Sequence, residues 1–488
     1  MSNLPFAPAV ELAKAIRRKE VSSLELTDLY IGRIEKYDKA LNAVVVRRFD
    51  AARDAARAAD RALARGESLG PLHGLPVTIK EAYNLEGTPT TWGIPAFKDN
   101  VATSDAETVR RMKAAGAHFM GKTNVPFSLG DFQSFNAIYG TTNNPWNIAR
   151  TPGGSSGGSA AALAAGLTAL DSGSDIGGSI RNPAHFCGVY GHKPTWGVVS
   201  DRGHALPGVL SPADLAVVGP MARSAEDLAL AMDVVAGADA FNSRGWELRL
   251  RRPEKSSLRE FRVAVWPNDD FAPVSAEVAG RVQGVADTLT RLGATVSDSA
   301  RPPLAAHGLT LADTLETYHS LLWGVLSAGV PDAVHEATKA QVATLAEGDR
   351  SVRAFSIRCS AQDHRAWMFH SNRRFLIRRA WASFFDDWDI LICPLMPPAA
   401  FPHDQGPYFD RTLTFDGRTI NYMEQINWAG LITVAHLPSS VFPTGPSSDG
   451  LPIGLQAVGG EFDDYVTIDF CRLLANEIGG FVPPPGFE

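Results

Sequence analysis

Residues 151–181 open with Thr151-Pro-Gly-Gly-Ser155-Ser-Gly-Gly-Ser-Ala160, continue through an uncharged Ala-rich run to Leu170, and close with Asp171-Ser-Gly-Ser-Asp175-Ile-Gly-Gly-Ser179-Ile-Arg181. Ser155 and Ser179 stand among glycines, where a backbone without Cβ atoms can wrap tightly around a substrate. A nucleophilic hydroxyl needs a proton acceptor and nearby donors for the oxyanion it creates. Consecutive glycines offer bare N–H groups, and the Ala-rich run reads as a helix whose positive end faces the loop. A flexible Gly/Ser linker is the plain alternative, but the flanks are periodic and apolar rather than polar and repetitive.

Two letter matches compete for this region. Gly153-Gly-Ser155-Ser-Gly157 satisfies the Gly-x-Ser-x-Gly elbow, which should follow a buried strand and find a histidine later in the chain. Here the preceding Asn144-Pro-Trp-Asn-Ile-Ala-Arg-Thr-Pro reads as a turn-rich loop. Gly116-Ala-His-Phe-Met-Gly121-Lys-Thr123 matches the phosphate-loop pattern by letter. That mechanism needs strand, cradle and then helix, whereas here a charged helix precedes and the middle letters read as a strand.

A third reading joins the serines to Gly74-Leu-Pro-Val-Thr-Ile-Lys80, a turn and a short β-branched strand that delivers Lys80 at its end. By itself such a lysine is usually solvated. Lys80, Ser155 and Ser179, in this order and spacing, resemble the amidase signature family. Gly121-Lys-Thr-Asn124, Asn144-Pro-Trp146, Phe186-Cys-Gly-Val-Tyr-Gly-His-Lys-Pro-Thr195, Gly219-Pro-Met-Ala-Arg223 and Leu451-Pro-Ile-Gly-Leu-Gln456 resemble its other landmarks, so the likeness covers nearly the whole chain. It implies an α/β fold, a large mixed β-sheet covered by helices on both faces, built as one unit over 1–488. Within it, 1–70 would be an N-terminal helical layer, 71–237 the catalytic core, and 261–488 the half completing sheet and pocket.

The resemblance also implies roles. Ser179 is the nucleophile, Ser155 a bridging serine held by a cis peptide, and Lys80 the terminal base. The N–H groups of Ile176, Gly177, Gly178 and Ser179 form the oxyanion hole. A lysine of ordinary pKa, ~10.4, is protonated at neutral pH, and lowering it to about 7 requires roughly 4.6 kcal/mol, a shift that burial can supply. Asp175 and Arg181 flank the loop with opposite charges and read as scaffold. Phe127, Phe132, Phe135 and Trp428 are candidates for lining the substrate pocket.

The implied activity is hydrolysis of a carboxylic amide through an acyl-Ser179 intermediate, without metal or cofactor. The rival inside the family is the glutaminase subunit of a tRNA-dependent amidotransferase. Its usual Met-Asp-Glu-Phe and Glu-Asn-Ser correspond here to Val125-Pro-Phe-Ser128 and Phe135-Asn-Ala137, which are less polar. A non-catalytic binding protein on the same fold would have no reason to keep all three of Lys80, Ser155 and Ser179.

The 488 residues are 45% hydrophobic and 20% charged with net charge −7, an ordinary globular composition. The absence of a long basic run argues against a nucleic-acid partner. Cys187, Cys359, Cys393 and Cys471 form no Cys-x-x-Cys pair and suit a reducing compartment. No 18-residue apolar stretch or signal-type N-terminus occurs, so a cytoplasmic protein with a small-molecule amide substrate is expected; a homodimer is left open. Apolar spacing predicts helices over 9–18, 22–34, 50–64, 224–237, 276–292 and 463–478, with a mostly helical 309–379. Strands are expected over 75–79, 117–121, 167–174, 263–266, 294–297 and 389–393, and 238–257 reads as a polar surface excursion.

Overall fold

The computed structural model describes residues 4–67 and 70–487; Met1, Ser2 and Asn3 of the N-terminal stretch lie outside the described residues. Helices α1 (Ala9–Arg17), α2 (Ser23–Leu41) and α3 (Phe49–Ala64) fall where the spacing places them, and α2 runs seven residues beyond the expected end. Its start is set by a capping box: Ser22 accepts from the Glu25 N–H while the Glu25 side chain accepts from the Ser22 N–H. Strands β1 (Val44–Arg47), β2 (Pro76–Lys80) and β3 (His118–Thr123) form a small sheet in which β2 and β3 run parallel. Helix α4 (Glu107–Ala114) precedes β3, so Gly121-Lys-Thr123 lies inside a strand and the phosphate-loop match is a coincidence of letters. A Cβ on Gly121 would stand 2.2 Å from the Val46 carbonyl oxygen, which gives this glycine a packing reason.

After the two-residue ribbon β4 (Phe135–Asn136) and β5 (Gly140–Thr141), the Ala-rich run forms α5 (Gly157–Ala164). The main sheet then gathers β6 (Asp171–Asp175), β7 (Tyr190–Lys193), β8 (Val217–Ala222), β9 (Arg262–Val265), β10 (Thr295–Ser297), β11 (Ile390–Cys393), β14 (Ser439–Pro446) and β15 (Pro452–Val458). A separate ribbon, β12 (Thr412–Phe415) with β13 (Arg418–Asn421), lies between β11 and β14 in the chain. The eight strands lie in the order β10-β9-β11-β15-β14-β7-β8-β6. β10, β9 and β11 are parallel and the remaining pairs antiparallel, so the sheet is mixed.

Helices cover both faces of the sheet. Gly454 of β15 faces α6 (Arg181–Cys187), its absent Cβ only 3.0 Å from His185 Cα. Val441 of β14 touches the same point, while its neighbour Ser440 reaches Thr467 on α14 (Asp464–Ile478) at 2.9 Å. Successive strand residues point to opposite faces, so α6 and α14 lie on opposite sides. Helix α7 (Ala225–Val235) packs beside α14, α8 (Ala276–Arg291) connects β9 to β10, and both begin at serine caps, Ser224 and Ser275. The helical stretch resolves into α9 (Leu311–Ser327), α10 (Asp332–Val342), α11 (Val352–Ser360) and α12 (His364–Asp387), and α13 (Asn427–Thr433) precedes β14. The expected excursion, 238–257, contains one short 3-10 turn and is largely exposed. A contiguous apolar core runs from Ala9 to Leu474. Among the described residues no helix is long and apolar enough to cross a membrane.

Candidate active site

β2 and β6 meet across the seam between the small sheet and the main sheet. The Thr78 N–H donates to the Thr168 Oγ1 and the Leu170 carbonyl, and the Thr78 hydroxyl donates to Asp171 at 2.5 Å. This seam carries Lys80, at the end of β2, into a pocket of hydroxyls. Its Nζ contacts Ser155 Oγ at 2.6 Å, Ser174 Oγ at 2.9 Å and Ser156 Oγ at 3.0 Å. Lys80 is wholly buried, and removal from water lowers its pKa to about 7, against the raising influence of the Asp175 and Asp171 carboxylates. Burial lifts Asp171 above its ordinary value. Ser174 is a partner that sequence reasoning missed, because nothing in a strand as polar as Asp-Ser-Gly-Ser-Asp singles out one hydroxyl.

The two serine loops are laced together. Ser156 N–H donates to the Ser179 carbonyl at 3.1 Å, and Gly154 N–H donates to Asn182 Oδ1 at 2.8 Å. The Gly154–Ser155 peptide is cis. Relative exposure separates the roles open to the three side chains: Lys80 0%, Ser155 1% and Ser179 8%. Ser179 Oγ makes no hydrogen bond among the described residues, so it alone of the three is both uncommitted and reachable. The elbow reading fails on geometry, since Ser155 Oγ meets a lysine and no histidine. A Ser–His–Asp constellation does exist elsewhere, with His192 between Ser440 (2.9 Å) and Asp464 (3.1 Å), but all three are fully buried structural residues.

In the loop after β6 one of the four expected oxyanion donors is already engaged. The Asp175 carboxylate accepts from the Gly178 N–H at 2.8 Å, from the Ile180 N–H at 3.1 Å and from the Arg181 guanidinium at 2.9 and 3.0 Å. Gly178 therefore spends its N–H on holding the loop, while the N–H groups of Ile176, Gly177 and Ser179 have no partner among the described residues. Gly178 sits at φ +108°, a conformation that glycine adopts without strain. A Cβ on Gly177 would stand 2.6 Å from Ile426 Cδ1 and 2.9 Å from the Tyr318 hydroxyl. The start of α5 is not the anion site either: Gly157 N–H goes to Ser134 Oγ and Gly158 N–H to the Asn124 carbonyl.

Asp175 and Arg181 form a wholly buried ion pair, as their flanking positions suggested. Burial acts to raise the Asp175 pKa, but the charge and hydrogen bonds of Arg181 outweigh it and leave the carboxyl at about 2. Removing one partner of such a pair strands the other. Asp175→Asn is therefore expected to cost about 3–5 kcal/mol of stability, read as a lowered urea midpoint.

The pocket candidates fare differently. Trp428 is fully enclosed: its indole N–H donates to the Ala272 carbonyl at 2.7 Å and its ring packs on Trp266 and Phe271. It is a core residue, not a lining one. Phe132 is likewise enclosed, edge-on to Tyr422. Phe127 is 57% exposed on a surface turn, and Phe135 is half-buried in the β4–β5 ribbon. Side chains that approach residues 176–178 include Ile426, Ala429 and Tyr318, and the Tyr318 hydroxyl donates to the Ile176 carbonyl at 3.1 Å. The sequence singled out Trp428 within Asn427-Trp-Ala-Gly430, whereas Ile426, just outside that stretch, is the residue that faces Gly177. Among the described residues no group of three or more His, Cys, Asp or Glu side chains is placed to hold a metal ion.

A family model described as Amidase matches residues 25–468. The chain belongs to the amidase signature family. It is 34% identical, over 97% of both chains, to one subunit of the glutamyl-tRNA(Gln) amidotransferase of Anaeromyxobacter sp. (strain K). To the indoleacetamide hydrolase of Bradyrhizobium diazoefficiens it is 33% identical, over 96% of this chain and 86% of that one. The solved structure of a bacterial aryl acylamidase of the same family superposes with a TM-score of 0.79 at 25% identity, covering 97% and 96% of the two chains. The amidase signature fold and the activity class follow: this chain is an enzyme that hydrolyses carboxylic amide C–N bonds.

Proposed function

We propose that the chain hydrolyses small carboxylic amides through an acyl-Ser179 intermediate, with Ser155 and Lys80 as the proton relay. The observation that carries this reading is the buried 2.6 Å contact of Lys80 Nζ with Ser155 Oγ beside an open Ser179. When Lys80 is neutral its lone pair accepts the Ser155 hydroxyl proton, and Ser155 in turn accepts that of Ser179. No hydrogen bond among the described residues holds the Ser179 side chain away from the neighbouring serine loop, and catalytic contacts commonly tighten only with substrate in place. Ser179 Oγ then attacks the amide carbon, and the oxyanion is met by the N–H groups of Ile176, Gly177 and Ser179. Ser155 returns the proton to the departing amine as the C–N bond breaks. Water, deprotonated by the same relay, cleaves the acyl ester and regenerates Ser179.

A glutaminase role is the second reading, favoured by the likeness to the amidotransferase. Val125-Pro-Phe-Ser128 and Phe135-Asn-Ala137 are less polar than the segments expected of a glutaminase, which favours an independent amidase. A panel of indole-3-acetamide, acetanilide, aliphatic amides and free glutamine separates the two. Turnover of an amide or anilide with no ammonia from glutamine is expected; glutamine as the preferred substrate would overturn the assignment.

A further inference from the structure

Behind the serine loop lies a second layer of contacts that the relay does not use. Residues 131–134, Asp-Phe-Gln-Ser, are buried throughout. Their backbone presses on the residue before Ser155: a Cβ on Gly154 would stand 2.2 Å from the Asp131 carbonyl oxygen and 2.6 Å from that of Gln133. Ser134 Oγ donates to the Gly153 carbonyl at 3.0 Å and accepts from the Gly157 N–H at 3.1 Å. Ser155 is thus bracketed on both sides by one short segment.

The other side of that segment is gripped from the C-terminal half. The Asp131 carboxylate accepts from Arg411 Nη1 at 2.8 Å and from the Tyr422 hydroxyl at 2.6 Å. Gln133 closes on the Asp404 backbone, its amide donating to the carbonyl and accepting from the N–H at 2.9 Å. The Arg411 guanidinium lies over the rings of Tyr408 and Tyr422 and donates from Nε to the Gly406 carbonyl. The Arg411 and Asp131 side chains are only 5% and 8% exposed. A buried ion pair of this kind adds little net stability over an apolar pair.

We propose that Asp131 is a positioning residue of the reaction: held by Arg411 and Tyr422, it fixes segment 131–134 and thereby sets Ser155 Oγ between Lys80 and Ser179. The inference rests on the reading of Ser179 as nucleophile. A relay with a 2.6 Å contact is sensitive to small shifts, and misplacement by about 1 Å can cost about 100-fold in rate.

The test is the rate at which an alkyl fluorophosphonate labels Ser179, resolved into the saturating rate and the half-saturating concentration. Arg411→Gln is expected to lower the saturating rate by about 100-fold with the half-saturating concentration within about threefold. Arg411→Lys, which keeps a charge against Asp131, should recover about tenfold of that loss. Tyr422→Phe removes the hydroxyl's hydrogen bonds with Asp131 and Gln133 and leaves no charge stranded, so it should fold and lose about tenfold. It decides the matter should Arg411→Gln lack a cooperative melt. Labelling of the folded variants at the wild-type rate, with only the melting temperature lowered, overturns the proposal. So does a change confined to the half-saturating concentration, which would make these residues ligand contacts. Wild-type protein labelled elsewhere than Ser179 would instead defeat the nucleophile assignment itself.

Discussion

Ser179→Ala is expected to lower kcat for amide hydrolysis by about 10⁴- to 10⁶-fold, the range seen when a serine nucleophile acting within a proton relay is removed. The loss is large because the neighbouring hydroxyls of Ser155, Ser156 and Ser174 are all buried and committed to Lys80. Stability should move by less than about 0.5 kcal/mol, since Ser179 Oγ makes no hydrogen bond among the described residues. A kcat assay on the best amide of the panel, paired with a urea unfolding curve, checks both halves. A variant that keeps a tenth of the activity would move the nucleophile elsewhere.

Lys80 carries the second large effect. Lys80→Ala should lose about 10³-fold or more in kcat/KM, because both proton transfers pass through Nζ. Lys80→Arg should fail as well, since arginine stays protonated and cannot accept a proton. With a Lys80 pKa of about 7 in the folded enzyme, kcat/KM should rise with pH through that value and level off above it. The same shift has a thermodynamic sign. Between about pH 7 and the ordinary lysine pKa of 10.5 the unfolded chain binds a proton at this residue that the folded chain does not. The stability due to Lys80 is therefore full above that upper value and is lost as pH falls towards 7, on the order of 5 kcal/mol in all. Lys80→Met should flatten that part of the pH dependence, read from urea midpoints at pH 7 and 9.5. Near-normal turnover by Lys80→Arg would reduce the lysine to a fixed positive charge.

The periphery of the fold was more legible than its centre. Helices α1, α7, α8 and α14 combine apolar periodicity with polar faces, and α7 and α8 begin at serine caps that accept from Asp227 and Val278 N–H groups. The middle strands β14 and β15 carry no alternation, being buried on both faces along most of their length, and prolines at 443, 446 and 452 argue locally against a strand. A strand was expected over 167–174, yet the strand formed is the polar Asp171–Asp175. Its burial is offset in part because Thr78, Tyr83 and Lys80 bond to Asp171 Oδ2, Ser172 and Ser174, although Asp171 Oδ1 has no partner among the described residues. Those bonds come through space from β2 and the residues just after it, which sequence spacing does not show. The same limit explains the site. Lys80, Ser155 and Ser179 stand in recognisable local contexts, whereas the Asp175 contact that engages the Gly178 N–H depends on how the loop curls. Trp428 looked like a lining residue by position, and burial under Phe271 and Trp266 makes it core.

The central claim is that the acyl group of the substrate passes through Ser179, and the most direct measurement is to trap that group and map it. Rapid acid quenching during turnover of an activated anilide, followed by proteolysis and mass spectrometry, should place one acyl group on the peptide containing Gly177-Gly-Ser179-Ile-Arg181, at Ser179. The adduct should be absent in Ser179→Ala and should decay at a rate no slower than kcat in the wild type. An acyl group mapped to Ser155 or Ser156, or turnover with no acyl-enzyme at any residue under conditions where deacylation limits the rate, would contradict the account.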